Sequence, residues 1–132
     1  MSNPALKHVK IIIAGPSGLN KDNMILKPLE TKLASMGDVK VFNVEDEIEN
    51  LSGNHPLDFL PFNRKALRGV WHQAFLNIIQ KIQEHVNALQ VAQKTDRFFS
   101  IISLHLTYFV DGEYFAPYDI NLLRQNLKST NE

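Results

Sequence analysis

A glycine-containing segment near the amino terminus has the residue types that bind phosphate groups. Residues 15–22 follow the frame Gly-x-x-x-x-Gly-Lys-[Ser/Thr], in which backbone N–H groups surround a phosphate, a lysine adds charge and a hydroxyl holds magnesium. Gly15 and Lys21 match the frame, and Asn20 replaces the second glycine with the residue that otherwise best tolerates a left-handed backbone. Asp22 replaces the hydroxyl with a carboxylate, which we predict binds the metal instead. Glycine and proline here also suit a plain strand-to-helix turn that binds nothing.

The phosphate-binding interpretation depends on the elements on either side of this segment. Ile11 to Ala14 is a continuous apolar run, typical of a strand buried on both faces, and we predict that it is the central strand of the sheet. A helix with apolar residues at helical spacing follows and ends at Gly37. Pro28 leaves two starts open, because the helix either begins near Leu26 or begins at Asn23 and is kinked.

The rest of the chain continues the alternation of strands and helices. We predict a strand over 39–44, a surface loop over 50–61, a helix over 63–91 capped by Asn63, a strand over 98–109 and a helix over 118–127. The short turn at Gly37 implies that the first two strands are parallel. The prediction is therefore an α/β fold in three layers, with a parallel sheet of about three strands.

Such a sheet is incomplete, because doubly wound sheets normally have about five or six strands. The 132 residues form one domain, and 44% of them are hydrophobic, which is enough for a single core. We therefore predict that a second copy of the chain or another domain completes the sheet, or that residues 1–132 are the amino-terminal part of a longer protein.

Composition excludes several classes of chemistry. Lysine plus arginine equals aspartate plus glutamate at 14 each, which gives no support to binding of nucleic acid or of a membrane surface. The chain has no cysteine, so disulfides, thiolate metal sites and cysteine nucleophiles are absent. The first apolar run is too short for a signal sequence or a spanning helix, which predicts a cytoplasmic protein.

A histidine near the end of the third predicted strand and a group of carboxylates after the second are further candidates. His105 has the residue type of a general acid or base, although a histidine at a strand end is more often structural. The acidic residues of 45–49 suit a metal or a ribose, although such clusters are more typical of solvated loops. Because ligands of parallel sheets bind at the carboxyl ends of the strands, we predict that Gly15, residues 43–46 and residues 105–107 converge.

The segment Ser103 to Pro117 resembles the archaeal type of adenylate kinase, a P-loop NTPase-like family. After its third strand that family has a Thr-His-Ala stretch, a few residues and then Gly-Tyr-Leu-Pro, to which His105 and the segment Gly112 to Pro117 correspond. The resemblance covers most of this chain, but only the amino-terminal half of the family. The half that carries the lid arginines and the last two strands has no counterpart here.

The resemblance implies a domain that binds ATP or another nucleotide, with Mg²⁺ as a possible cofactor. It implies that Gly15, Gly18 and Lys21 contact the donor phosphates and that Arg64 or Arg68 of the long helix faces an acceptor phosphate. The loop frame and the residue types add the other candidates, among them Asp22 for the metal. The residues concerned are Gly15, Ser17, Gly18, Asn20, Lys21 and Asp22 in the loop, with Lys21 and His105 as the catalytic pair and Arg64 and Arg68 for the acceptor.

Full kinase activity is not expected, because Asp22 replaces the magnesium-binding hydroxyl and the lid arginines have no counterpart. We expect part of a larger nucleotide-dependent protein that turns over little or no ATP. Two other functions remain open. The stretch Ile-Ala-Gly-Pro after the first strand also resembles the opening of nucleoside deoxyribosyltransferase-like proteins, which cleave N-glycosidic bonds. The third possibility is a non-catalytic protein-interaction module, and the role of Lys21 differs among the three.

Overall fold

The computed structural model of the chain describes residues 6–16, 22–54, 64–110 and 113–127. Its elements, in chain order, are β1 (Lys7–Pro16), a π-helical turn (Asp22–Leu26), α1 (Lys27–Ala34), β2 (Asp38–Asn43), α2 (Val44–Ser52), α3 (Arg64–Ala92), β3 (Arg97–Val110), β4 (Glu113–Phe115) and α4 (Ile120–Leu127). β1, β2 and β3 form a parallel sheet, and β4 pairs antiparallel with the end of β3. The predicted α/β class and the parallel pairing of these three strands are therefore confirmed.

The centre of the sheet is β3 and not β1. The strand order is β1-β3-β2, so the prediction that the first strand is central is wrong. Every residue from Phe98 to Leu104 is buried, whereas Ile11, Ile12 and Ile13 are only half-buried. The buried segment of β3 is longer than the half-buried apolar segment of β1. Placing β3 in the centre of the sheet therefore buries more apolar surface than placing β1 there. Two buried serines within β3 make this run less conspicuous in the sequence.

Helices cover both faces of the sheet, because successive side chains of β3 point in opposite directions. On one face Phe98, Ile102 and Leu104 pack in a large cluster with apolar residues of α2, α3 and α4. On the other face Phe99 and Ile101 pack in a smaller cluster with Leu26, Leu33 and half-buried residues of β1, β2 and α1. The arrangement is the predicted three layers, with a much thinner layer of helix on the α1 side.

The segment after the candidate loop is helical from Asp22 onwards, in two geometries. A five-residue π-helical turn precedes α1, which begins at Lys27. Pro28 therefore lies in the first turn of the α-helix, the position that best tolerates proline. Of the two predicted starts, the one near Leu26 describes the α-helix, although helical backbone begins before it.

The helix α2 was not predicted. The Asn43 side chain accepts hydrogen bonds from the N–H groups of Glu45 and Asp46, which is the arrangement of an N-cap. Three acidic residues in the first turn further stabilise the helix through its dipole. The helix ends at Gly53, whose φ of 77° is left-handed. The predicted loop over 50–61 is thus wrong for its first three residues, and residues 55–61 lie outside the described part.

β1 has one edge without a partner strand among the described residues. The side chain of Val9 on this strand is 36% exposed. The order β1-β3-β2 also differs from the two common doubly wound orders, 3-2-1-4-5-6 and 2-1-3-4-5, in both of which the first strand is internal. None of the helices in the described ranges is both long enough and apolar enough to cross a bilayer.

We predict opposite effects of alanine at two glycines. A Cβ on Gly37 would lie 2.7 Å from the carbonyl oxygen and 2.8 Å from the Cβ of Arg97, so Gly37→Ala must displace the start of β3. It is expected to lower the free energy of unfolding by about 1–3 kcal/mol. Gly69 lies within α3, and a Cβ at this position would have no neighbour within 4 Å, so Gly69→Ala should raise the free energy by about 0.5–1 kcal/mol. Urea denaturation measures both, and a similar change in the two variants would contradict the close approach at Gly37.

Candidate functional site

The candidate phosphate loop begins beside His105. Gly15 is buried and is the register partner of His105 in the pairing of β1 with β3. The structure therefore brings together two residues that the sequence assigned to one site. Ser17, Gly18, Asn20 and Lys21 lie outside the described residues, and of Asp22 only the backbone is described, at the start of the π-helical turn. Their assignments to phosphate, catalysis and metal stay predictions.

The pairing of β1 with β3 is irregular at this point. Gly15 pairs with His105, but the next residue, Pro16, pairs with Thr107. The residue between them, Leu106, is therefore an extra one on β3, as in a β-bulge. Bulges bend a strand and change the direction of neighbouring side chains, and they are frequent next to active sites. The irregularity marks the place where β3 leaves the regular sheet.

Glu45 connects α2 to His105. Asn43 ends β2 opposite Ser103 of β3, and its Oδ1 accepts from the N–H of Glu45 at 2.9 Å, which fixes the first turn of α2 over the end of β3. A carboxylate oxygen of Glu45 contacts Nδ1 of His105, with only 18% of the histidine side chain and 16% of the glutamate side chain exposed. The contact places the carboxylate against a buried nitrogen of the ring.

Tyr108 is the second group on the Glu45 carboxylate. Its hydroxyl donates a hydrogen bond to Glu45, and its ring meets the His105 ring edge-on with the centroids 5.5 Å apart. Burial raises the pKa of Tyr108 far above its ordinary value, and the charge of Glu45 and the hydrogen bond to it add to the shift. The phenol therefore remains a neutral donor. The Glu45 carboxylate thus contacts both Tyr108 and His105 of β3.

Two arginines of α3 contact the hairpin that β3 forms with β4. Phe115 of β4 pairs with Tyr108, and the guanidinium carbons of Arg64 and Arg68 lie 5.6 and 5.0 Å from the centroid of its ring. These are cation–π distances, and they hold the first two turns of α3 against the hairpin. Both predicted acceptor-site arginines are thus on the same side of the molecule as the His105–Glu45 pair, connected to it through Phe115 and Tyr108.

The acidic cluster is only partly solvated. Asp46 and Glu49 are exposed, as predicted, but Glu45 bonds His105 and Tyr108, and Glu47 is buried beside Lys81 of α3 with Nζ 2.7 Å from the carboxylate. The prediction of a solvated loop is wrong for these two residues because they lie on a capped helix packed against α3. An asparagine directly after a strand, followed by acidic residues, was the sequence signal for that helix.

Within the described ranges, no three histidine, aspartate or glutamate side chains are placed to hold a metal ion together. Comparisons with protein-family models, with curated proteins and with solved structures find no match for this chain. The interpretation of the site therefore depends on its own geometry. Its described groups are Gly15, the contacting pair His105 and Glu45, and the guanidinium groups of Arg64 and Arg68.

We predict that Tyr108→Phe lowers the free energy of unfolding by about 1–3 kcal/mol at pH 7, because a hydrogen bond to a charged group is lost. The pKa of the tyrosine is raised in the folded chain, so its hydroxyl stabilises the fold below pH 10, the ordinary tyrosine value, and this contribution disappears as the pH rises above that. The difference between wild type and variant should therefore shrink in strong alkali. Tyr118→Phe, at a half-buried tyrosine, is the control and should change stability by less than about 0.5 kcal/mol. Equal effects in chemical denaturation of the two variants would contradict the role of Tyr108.

Proposed function

We propose that this chain binds a nucleotide, ATP or a related compound, at the carboxyl edge of its sheet, with the phosphates in the loop of residues 15–22. The observation that carries the proposal is the pairing of Gly15 with His105. Because of this pairing, the segment after β1 begins beside the His105–Glu45 pair. The arginines of α3 contact Phe115, which pairs with Tyr108 next to that histidine. A glycine-led loop between a strand and a helical segment is the context in which phosphate binding occurs.

The other helix that begins at this edge is not available for the same purpose. Asn43 occupies the first turn of α2, where its Oδ1 accepts from two backbone N–H groups. The first turn of α2 also carries Glu45, Asp46 and Glu47, which repel an anion. Phosphate binding by backbone N–H groups is therefore favoured after β1 rather than after β2.

The two arginines suit a second anionic group of the ligand or of an acceptor. Arg68 is exposed and its guanidinium group is held against Phe115, so its N–H groups are preoriented for a phosphate, and Arg64 adds positive charge beside it. Asp22 would hold Mg²⁺ together with phosphate oxygens, which is the usual way in which proteins bind this ion. The proposal is a P-loop kinase-like nucleotide-binding domain that belongs to a larger nucleotide-dependent protein.

Titration calorimetry with ATP, with and without Mg²⁺, tests the proposal. Lys21→Ala should weaken binding roughly tenfold to a hundredfold, because a charge-assisted hydrogen bond contributes about 1.5–3 kcal/mol. Lys27→Ala removes the same charge at an exposed position of α1 and is the matched control. Arg68→Ala should weaken binding of the nucleotide or of a monophosphate acceptor, whereas Arg124→Ala on α4 should not.

Equal affinities in Lys21→Ala and Lys27→Ala would show that residues 15–22 are only a turn. The same samples serve for a coupled assay of ATP turnover with each nucleoside monophosphate. We expect turnover well below about 1 per second, the low end for kinases. Turnover at that rate or above, lost in Lys21→Ala, would instead show a complete kinase in which Asp22 does not impair catalysis.

We also propose that another strand, supplied by a second copy of the chain or by another domain, covers the edge of β1 that has no partner strand in the described part. Ile11, Ile12 and Ile13 form an apolar run typical of an internal strand, yet all three are only half-buried. Exposed apolar edge strands readily pair with other chains. Light scattering of the purified chain should give the mass of a dimer, and Ile12→Lys should give a monomer. A monomer for the wild type would leave the second copy excluded and another domain as the partner.

A further inference from the structure

We propose that two copies of the chain join through their β1 strands, which pair antiparallel about a two-fold axis at Ile11. This inference rests on the proposal that another strand covers the edge of β1, and it names a second copy of the chain as the partner. It goes beyond that proposal by assigning the direction and the register of the pairing, and therefore the side chains that meet.

The strand β1 is the edge of the sheet that gains most from a further strand. Within the described ranges it pairs with β3 on one side only. Its centre is the half-buried run Ile11–Ile13, and Val9 and Ala14 on either side of that run are exposed. The other edge strand, β2, has only six residues, and the exposed Lys40 lies in its middle. Short edge strands and lysines on an edge discourage pairing.

The positions of the lysines in β1 favour antiparallel pairing. Lys7 and Lys10 lie in its amino-terminal half, and residues 11–16 of its carboxyl-terminal half carry no charge. Parallel pairing would bring the lysines of the two copies side by side, and like charges on neighbouring strands are destabilising. Antiparallel pairing instead puts the lysines of each copy beside the uncharged half of the other. Because the chain has no net charge at pH 7, the two copies do not repel each other as a whole.

An axis at Ile11 makes the apolar side chains of β1 meet on the face of the sheet that α1 covers. A two-fold axis perpendicular to the sheet continues each face of one copy into the same face of the other. Ile11 then faces its own copy, and Val9 faces Ile13 of the second copy, so apolar pairs form on both sides of the axis. Lys7 faces Gly15, which has no side chain to displace.

The neighbouring registers that keep the same symmetry are less favourable. An axis at Lys10 would place the two copies of this lysine directly opposite each other. An axis at Ile12 would place Val9 opposite Gly15, where it gains no side-chain contact. It would also bring Pro16 into the ladder, and proline has no N–H to donate there. The register at Ile11 avoids all three defects.

This pairing completes the sheet. Three parallel strands from each copy give one sheet of six strands, in the order β2-β3-β1 followed by its reverse. Doubly wound sheets normally have about five or six strands, so the dimer reaches the number that one copy lacks. Gly15 is the strand neighbour of His105, so Lys7 of each copy also lies at the edge of the candidate site of the other.

Disulfide formation in single-cysteine variants of the full chain tests the register, because the natural sequence has no cysteine. Residues directly opposite each other in antiparallel strands have Cα atoms about 4.5–5.5 Å apart, a separation that a disulfide bridges. Ile11→Cys should therefore form a linked dimer on mild oxidation. The rate should exceed that of chance encounters on the order of a hundredfold, because paired thiols have an effective concentration of about millimolar against micromolar in solution.

Ile13→Cys is the matched control on the same face of the strand. In the proposed register its two copies are about 14 Å apart, so this variant alone should link only at the rate of chance encounters. Mixed with Val9→Cys it should link rapidly, and this mixture tests the register even if Ile11→Cys does not fold. The exposed Ser35→Cys on the C-cap of α1 measures the rate of chance encounters.

Three outcomes would overturn the inference. Linking of Ile13→Cys alone as fast as that of Ile11→Cys, or faster linking of Ile12→Cys, would show another register or direction while a second copy still covers β1. A monomeric wild type in light scattering would overturn the dimer itself and leave another domain as the partner of β1. Calorimetric titration with ATP is independent of these measurements, so failure of nucleotide binding and failure of the pairing are distinguishable.

Discussion

The structure depends on the burial of one strand, β3, between two parallel neighbours. β1, β2 and β4 each pair with β3, and no two of them pair with each other in the described part of the chain. The seven residues from Phe98 to Leu104 are buried and supply side chains to both apolar clusters. Transfer of that apolar surface from water is the main driving force for assembly of the sheet. The positions of all other elements are set relative to this strand.

The candidate site is a direct consequence of that pairing. Because β1 and β2 are both parallel to β3, Gly15 and Asn43 arrive at its carboxyl end in register with His105 and Ser103. Asn43 then caps α2 and delivers Glu45 to His105, while β3 continues past its neighbours and folds back as the hairpin with β4. β3 is longer than its parallel partners at this end and carries His105 and Tyr108. Phe115 on the paired strand β4 contacts the arginines of α3.

Periodicity in the sequence predicted which segments are strands and helices, but not which strand is central. The α3 helix and the three parallel strands were found within a few residues of their ends because their apolar patterns are long. An apolar run reports burial on two faces and says nothing about neighbours in the hydrogen-bonding direction, so Ile11–Ile13 was misplaced at the centre. Ser100 and Ser103 interrupted the pattern of β3, and both serines are buried.

The sequence predicted that Gly15 and His105 lie together, but not the contacts around them. Gly15 and His105 follow from the rule that ligands bind at the carboxyl ends of parallel strands. The contact between Glu45 and His105 could not be predicted, because it depends on the register of β2 against β3 and on a helix whose apolar residues are few. Tyr108 was missed for a related reason, since its role depends on the position of Glu45 and on the extra residue at 106.

Histidine–carboxylate pairs lie at both ends of β3. At the amino end His8 stacks on Phe98 and has its Nε2 2.7 Å from the hydroxyl of Ser100, while His85 contacts the same ring and pairs with Asp38. Burial, and then the charge of Lys10, lowers the pKa of His8, which keeps that ring neutral and in place.

At the carboxyl end Nδ1 of His105 is buried and lies against the Glu45 carboxylate, and the histidine is the strand neighbour of a glycine. The polar groups at the amino end have hydrogen-bond partners within the fold, so they stabilise the packing and the register of the strands. The pair of His105 and Glu45 lies at the other end, where parallel sheets bind their ligands.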